Sequence, residues 1–460
     1  MKIENRTAEA RGWRERRSLA VAWIVGVAWL MMSIGMAGAV EGAEPAPASC
    51  VTAKCHEKMG KAPFVHVPVA AGMCTFCHNQ PNPAKHAFKD AQKGADLCYM
   101  CHPRKDTKAV VHAPVKAGQC SFCHDPHQSQ TNKFRLKIEP PAKLCFTCHQ
   151  DNMTSQKFVH GPVAAGACTV CHNPHESPYP FRTEKKGNDL CLMCHTDKAE
   201  ALLAKKYTHP PVKEKCTNCH SPHATPHQFQ LKAAVPALCF GCHKDKEQYV
   251  AAARTKHEAL SLGKSCVNCH DPHVADLPKQ LAAAPMDLCF KCHDKELDTP
   301  TGKIINMKKW VEENPIWHGP IKQKDCAACH NPHGSDNFRI LKKFFPREFY
   351  TSFEVEKYAL CFNCHEQTLV LDPQTTTLTG FRNGDANLHF KHVNKMEKGR
   401  TCRACHELHA SKRPKRIRET VPFGAWEIPI NYEKTKSGGR CAPGCHVPRG
   451  YDRDRAVVNR

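Results

Sequence analysis

The thirty cysteines of this chain occur as fifteen pairs, and a histidine follows each pair directly. Thirteen pairs have the form C-x-x-C-H. They are Cys74 and Cys77 with His78, Cys98 and Cys101 with His102, Cys120 and Cys123 with His124, Cys145 and Cys148 with His149, and Cys168 and Cys171 with His172. The series continues with Cys191, Cys194 and His195, then Cys216, Cys219 and His220, then Cys239, Cys242 and His243, then Cys266, Cys269 and His270. It ends with Cys289, Cys292 and His293, then Cys326, Cys329 and His330, then Cys361, Cys364 and His365, then Cys402, Cys405 and His406. Two pairs have longer inserts: Cys50 and Cys55 before His56 ("CVTAKCH"), and Cys441 and Cys445 before His446 ("CAPGCH"). No cysteine is left over.

C-x-x-C-H is the attachment signature of c-type haem. Two thiols at this spacing reach the two vinyl groups of one porphyrin edge and form thioethers. The next residue then lies beneath the iron, where an imidazole serves as the proximal ligand. Disulfides, zinc ribbons and redox C-x-x-C pairs explain the cysteines but not a histidine after each pair. Fifteen haem c groups are expected, thirteen at regular motifs and two at the variants.

Sixteen histidines remain as candidates for the distal ligand: His66, His86, His112, His127, His160, His175, His209, His223, His227, His257, His273, His318, His333, His389, His392 and His409. Their positions are periodic. A histidine stands seven to ten residues before a motif, as in "HGPVAAGAC" (160–168) and "HAPVKAGQC" (112–120). Another follows three residues after the motif's own histidine, usually as Asn-Pro-His or Asp-Pro-His. A second motif, often "LCFxCH", then closes the unit. Seven such units, led by His66, His112, His160, His209, His257, His318 and His392, hold two haem sites each, and the motif at Cys50 is the odd one. In the first unit the nearest following histidine is displaced to His86. His227 and His389 are left as alternatives for the fifteenth iron.

On these motifs the chain resembles the multihaem c-type cytochromes of the doubled C-x-x-C-H class, found in bacteria that respire on periplasmic or extracellular acceptors. The resemblance covers roughly residues 50–450. It implies bis-histidine, low-spin, low-potential haems serving electron transfer.

Motif starts lie 22–27 residues apart from Cys74 to Cys289 and 35–41 apart afterwards. The expected organisation is a dense multihaem segment over 40–293 with about eleven haems and a looser one over 294–460 with about four. The fold class expected is irregular: mostly loop with short α-helices, a tandem di-haem repeat array, and almost no β-sheet. Proline after many motifs ends each local turn. Helices are expected over 196–206, 244–262 and 303–313. Aromatic residues are only 7% and mean hydropathy is −0.54, so porphyrin is expected to fill the core.

Residues 1–39 read as a signal peptide. Arg11, Arg14, Arg16 and Arg17 precede an apolar run from Leu19 to Met36, and Ala37-Gly38-Ala39 offers a cleavage site. An uncleaved anchor is the alternative, because the run is long enough to span a bilayer. No second span follows, so the mature chain is expected in the periplasm, outer-membrane associated or extracellular.

The formal charge of +22 would ordinarily suggest nucleic acid or an anionic surface. Haem changes that reading, because each ligated haem with ionised propionates carries about −1 oxidised and about −2 reduced. Nucleic acid is therefore not an expected partner. The expected partners are redox proteins: quinol-linked or periplasmic cytochromes on one side, an outer-membrane complex or terminal acceptor on the other. The expected role is electron transport in anaerobic respiration or extracellular electron transfer, with no catalytic residue. The alternative is a reductase of nitrogen or sulfur oxyanions with one open-coordination haem. A filament subunit or a porin-embedded conduit is an alternative assembly.

Overall fold

The computed structural model describes residues 50–82, 87–299 and 302–459. Residues 1–39, expected to be a signal peptide, and His86 lie outside these residues. Two compact units are distinguished. One runs through Ala91 and takes in Pro126–Arg135; the other comprises Gln92–Asp125 and Leu136–Arg460.

The chain is mostly loop, with short helices and small sheets, and no large sheet forms among the described residues. The motif itself dictates one turn of helix. In all thirteen regular motifs the histidine N–H donates to the carbonyl of the first cysteine, the i→i−4 bond of an α-turn. That turn carries two thiols and an imidazole on successive faces. The variants depart from it, because their longer inserts leave the histidine five or six residues from the first cysteine. His446 N–H bonds instead to Pro443 O, and Cys441 ends the strand Gly438–Cys441. Cys55 exchanges backbone hydrogen bonds with Thr52, and His56 sits at φ 44°, in the left-handed region.

Longer helices form where the sequence between motifs is free of proline: Thr196–Ala204, Lys244–Ala252 and Met307–Glu313. The expected helix over 244–262 stops at Ala252. The backbone of Thr255 instead exchanges hydrogen bonds with Ser335, and His257 takes an extended conformation.

Two-residue antiparallel ladders join consecutive repeats. Phe64–Val65 pairs with Gln128–Ser129 in the first unit. In the second, Val110–Val111 pairs with Glu176–Ser177, Phe158–Val159 with Ala224–Thr225, Tyr207–Thr208 with Val274–Ala275, and Ile316–Trp317 with Ala410–Ser411. In each ladder the residues just before a leading histidine meet the residues just after the next repeat's H-x-x-H.

Side-chain cores are small and lie late in the chain. Met286, Val311 and Ile321 form one, and Tyr358, Val370 and Val393 another. Among the described residues, Ala62 is the only buried hydrophobic side chain before Ala253. Apolar clusters thus appear where the motif spacing widens. A three-stranded sheet of Tyr432–Lys434, Gly438–Cys441 and Arg449–Asp452 closes the C-terminal end. No described helix is long and apolar enough to cross a membrane.

Candidate metal centres

Imidazoles are brought together in pairs. His78 faces His127, with ring centres 5.9 Å apart. In the second unit His124 faces His175, His172 faces His223, His220 faces His273, His270 faces His333 and His330 faces His409. A second series pairs His112 with His149, His160 with His195, His209 with His243, His257 with His293 and His318 with His365. His389 faces His406 at 6.4 Å. Across all twelve pairs the centres are 5.9–6.4 Å apart and the planes lie within 8–23° of parallel.

That separation suits one metal ion between the rings. Two metal–imidazole bonds of about 2 Å, plus roughly 1.1 Å from each nitrogen to its ring centre, span about 6.2 Å. Each pair contains one motif histidine, so two thiols stand beside it. The residues fit a covalently held iron porphyrin.

The pairing follows a rule that periodicity alone did not reveal. A leading histidine faces the second motif of its own repeat. The H-x-x-H histidine faces the first motif of the repeat before it: His175, in the repeat led by His160, meets His124, in the repeat led by His112. For the repeat led by His392, His389 takes that place opposite His406. Of the two alternatives for the fifteenth iron, His389 is thus stacked on a different motif's imidazole. His392 lies beside Phe381, at 5.7 Å, and close enough to His446 to feel its charge. His227 sits in a turn, its N–H donating to Thr225 Oγ1, and no other imidazole stacks on it among the described residues.

Backbone carbonyls fix the tautomer. Leading histidines donate from Nδ1 to the residue just before the next repeat's H-x-x-H histidine: His66 to Pro126, His112 to Pro174, His160 to Pro222, His209 to Pro272, His257 to Pro332 and His318 to Leu408. First-motif histidines donate to a carbonyl nine residues on: His172 to Phe181, His220 to Phe229, His270 to Lys279, His330 to Arg339 and His406 to Lys415. A carbonyl only accepts, so Nδ1 carries the proton and Nε2 is left to a metal. These acceptors were not anticipated. Their signals were the recurrent proline of Asn-Pro-His and the tripeptide that ends ten residues after the motif.

Burial pulls the pKa of His389, His392 and His409 down to about 4. The rings are neutral at pH 7, the form that binds metal.

The cysteines form a continuous series. The first cysteines of adjacent motifs lie within hydrogen-bonding reach at Cys145–Cys168, Cys191–Cys216, Cys239–Cys266, Cys289–Cys326 and Cys361–Cys402. The hydrogen bond between Cys239 and Cys266 pushes the first thiol up and the second down to about 6. Once made into thioethers, these sulfurs no longer ionise, but the proximity remains. Second cysteines approach one another in alternation: Cys123–Cys148, Cys171–Cys194, Cys219–Cys242, Cys269–Cys292, Cys329–Cys364 and Cys405–Cys445. In the first unit, Cys50 and Cys74 make the same contact as the paired first cysteines. Motif follows motif in sequence order without a break from Cys120 to Cys445.

The second cysteines of the three earliest motifs are placed by their own backbones. Cys77 closes the helical turn Cys74–Cys77, is half-buried, and its carbonyl accepts from Ala91 N–H. Cys101 is exposed, and its N–H donates to Cys98 O within the regular motif turn. Cys55 is exposed too, but its N–H donates to Thr52 Oγ1 at 3.0 Å. Four residues between the thiols form a local turn at Thr52 instead of the α-turn that Cys77 and Cys101 share with the other regular motifs.

The sequence pattern of the doubled CXXCH motif matches residues 66–107, 112–154, 160–200, 209–248, 257–297 and 318–369. No curated protein matches the chain significantly.

Proposed function

The chain belongs to the doubled CXXCH motif family and is a multihaem c-type cytochrome, and on that footing we propose that it is an exported electron conduit of fifteen haems. It would take electrons from inner-membrane or periplasmic donors and pass them toward outer-membrane or extracellular acceptors, with no catalytic residue of its own. Haem iron supplies a one-electron ferric–ferrous couple. The protein's contribution is to hold both axial imidazoles in one geometry through that change and to set the sites side by side.

The observation that carries this reading is the sequence-ordered series of motif contacts from Cys120 to Cys445. Electron tunnelling falls off steeply with distance, so adjoining thioether edges favour transfer along the chain. The paired imidazoles support saturated iron, which leaves no position for substrate. The motifs ending in His56 and His446, with thioethers at Cys50 and Cys55 and at Cys441 and Cys445, complete the fifteen under this proposal. Those at Cys74 and Cys77 and at Cys98 and Cys101 extend the conduit toward the N-terminus. His66, His86 and His392 serve as distal ligands, and His227 is the surplus histidine.

Quantitative electron paramagnetic resonance of the oxidised mature protein tests it, with intact mass counting the haems. About fifteen low-spin irons and none high-spin is the expected result. A stoichiometric high-spin iron would show an open site, and the reductase reading would replace this one.

A further inference from the structure

Each acceptor carbonyl opposite a first-motif histidine belongs to a residue in the left-handed region, and the residue after it is left-handed too. The pairs are Phe181–Arg182, Phe229–Gln230, Lys279–Gln280, Arg339–Ile340 and Lys415–Arg416, with φ between 52° and 60°. In the second repeat Arg135, at φ 51°, holds the place of Arg182. Such a backbone costs an ordinary L-residue about 1–2 kcal/mol at each position. It recurs because it performs two tasks. The first residue turns its carbonyl onto the imidazole. The second, where it is Arg182 or Arg416, places its side chain near the leading histidine of the preceding repeat.

Where that second residue is arginine, its Nε–H is unsatisfied. Nε of Arg135, Arg182 and Arg416 is buried with no hydrogen-bond partner. Arg182 stands near His112, and Arg416 stands near His318. A buried Nε–H without a partner is costly, which points to an acceptor outside the polypeptide. The anions that c-type haem brings to this place are its propionates, and guanidinium is the matching donor. The same position is Gln230, Gln280 and Ile340 in the three repeats between.

We propose that Arg182 and Arg416 are positioning residues that hold a haem propionate and raise the reduction potential of the haems at His112–His149 and His318–His365. The haems at His160–His195, His209–His243 and His257–His293, facing Gln230, Gln280 and Ile340, lie lower. A fixed positive charge favours the ferrous state, which carries one positive charge fewer on iron. Electrons on the chain then settle at the Arg182 and Arg416 sites, and the stretch between them is a shallow barrier. This inference rests on the haem-bearing reading and adds the order of potentials to it.

The test is spectroelectrochemical titration of the full mature holoprotein, wild type against R182Q, R182K and Q230R, with low-spin iron counted in each. In R182Q one haem's share of the absorbance change moves to more negative potential. A tenfold drop in that haem's ferrous-to-ferric ratio reads as about 59 mV. R182K restores part of the shift. Q230R moves one haem's share the opposite way. If R182Q and Q230R keep every low-spin iron and their curves superimpose on wild type, the proposal is wrong. Should R182Q fail to mature, Q230R decides alone: a positive shift supports the proposal and an unchanged curve overturns it. A low haem count in the wild type would instead count against the haem-bearing reading itself.

Discussion

At the scale of the residue, the informative fact is which repeat supplies each imidazole. His175 is written three residues after His172 but faces His124, 6.0 Å away between ring centres. H175A should therefore leave the haem at Cys120 and Cys123 with one axial ligand, and leave the haem at Cys168 and Cys171 untouched. Resonance spectra should show one high-spin iron per chain replacing one low-spin iron. The identity of the affected haem separates pairing across repeats from pairing within them. Acid provides a second check. Burial lowers His389, His392 and His409 to about 4, against about 6.5 unfolded. Between those values the native state binds fewer protons than the unfolded chain, so stability rises with pH through that window. It is fully present above about pH 6.5 and is lost as pH falls through 4. Iron competes with the proton and moves the loss further down. Low-spin absorbance at the C-terminal haems should accordingly persist at pH 5 and disappear only in stronger acid.

At the scale of the element, the motif turn was legible and the pairing was not. Cys-x-x-Cys-His fixes its own geometry within five residues, so the sequence states both the thiols and the proximal imidazole. Where the insert lengthens, as before Cys55, that local rule lapses and the turn has to be seen. The distal partner depends on which repeat packs on which, and periodicity counts histidines without linking them. His389 illustrates the difference. It has no place in the repeat pattern, because it fills a position that a following repeat would have filled. The capping sheet was equally silent, since its strands follow a variant motif with no period behind it. Gly438 is the residue that makes this sheet possible. A Cβ there would overlap Tyr451 O, so the strands cannot pair with any side chain at that position. G438A is expected to cost about 4 kcal/mol or more. The loss would fall on the sheet that holds Cys441, and hence on the haem nearest the C-terminus. Limited proteolysis should release this end first, with the preceding repeats intact and red.

At the scale of the whole chain, the cofactor decides both stability and charge. The described residues before Ala253 bury almost no hydrophobic side chain, so without porphyrin the earlier repeats have nothing to fold around. Mature chain made in cells unable to attach haem should show an unfolded far-ultraviolet spectrum and react with thiol reagents at its cysteines. Charge follows the same logic. Residues 1–39 carry six basic and three acidic side chains, which leaves the mature polypeptide at +19 from a total of +22. With cleavage after residue 39 and the proposed fifteen haems, about −1 each would bring the oxidised protein to roughly +4, and about −2 each would bring the reduced protein to roughly −11. On that count the sign of the net charge would reverse as the chain fills with electrons. In native electrophoresis near pH 7 the oxidised protein should move toward the cathode and the fully reduced protein toward the anode. Migration in one direction in both states would mean fewer haems, or propionates that stay protonated. Reversal has a consequence for exchange, because long-range charge steers association. An acidic acceptor surface would attract the oxidised form and repel the reduced one, which would slow delivery. A basic surface would draw in the reduced form and release the oxidised form, so under the proposed function the acceptor face that suits the chain would be basic.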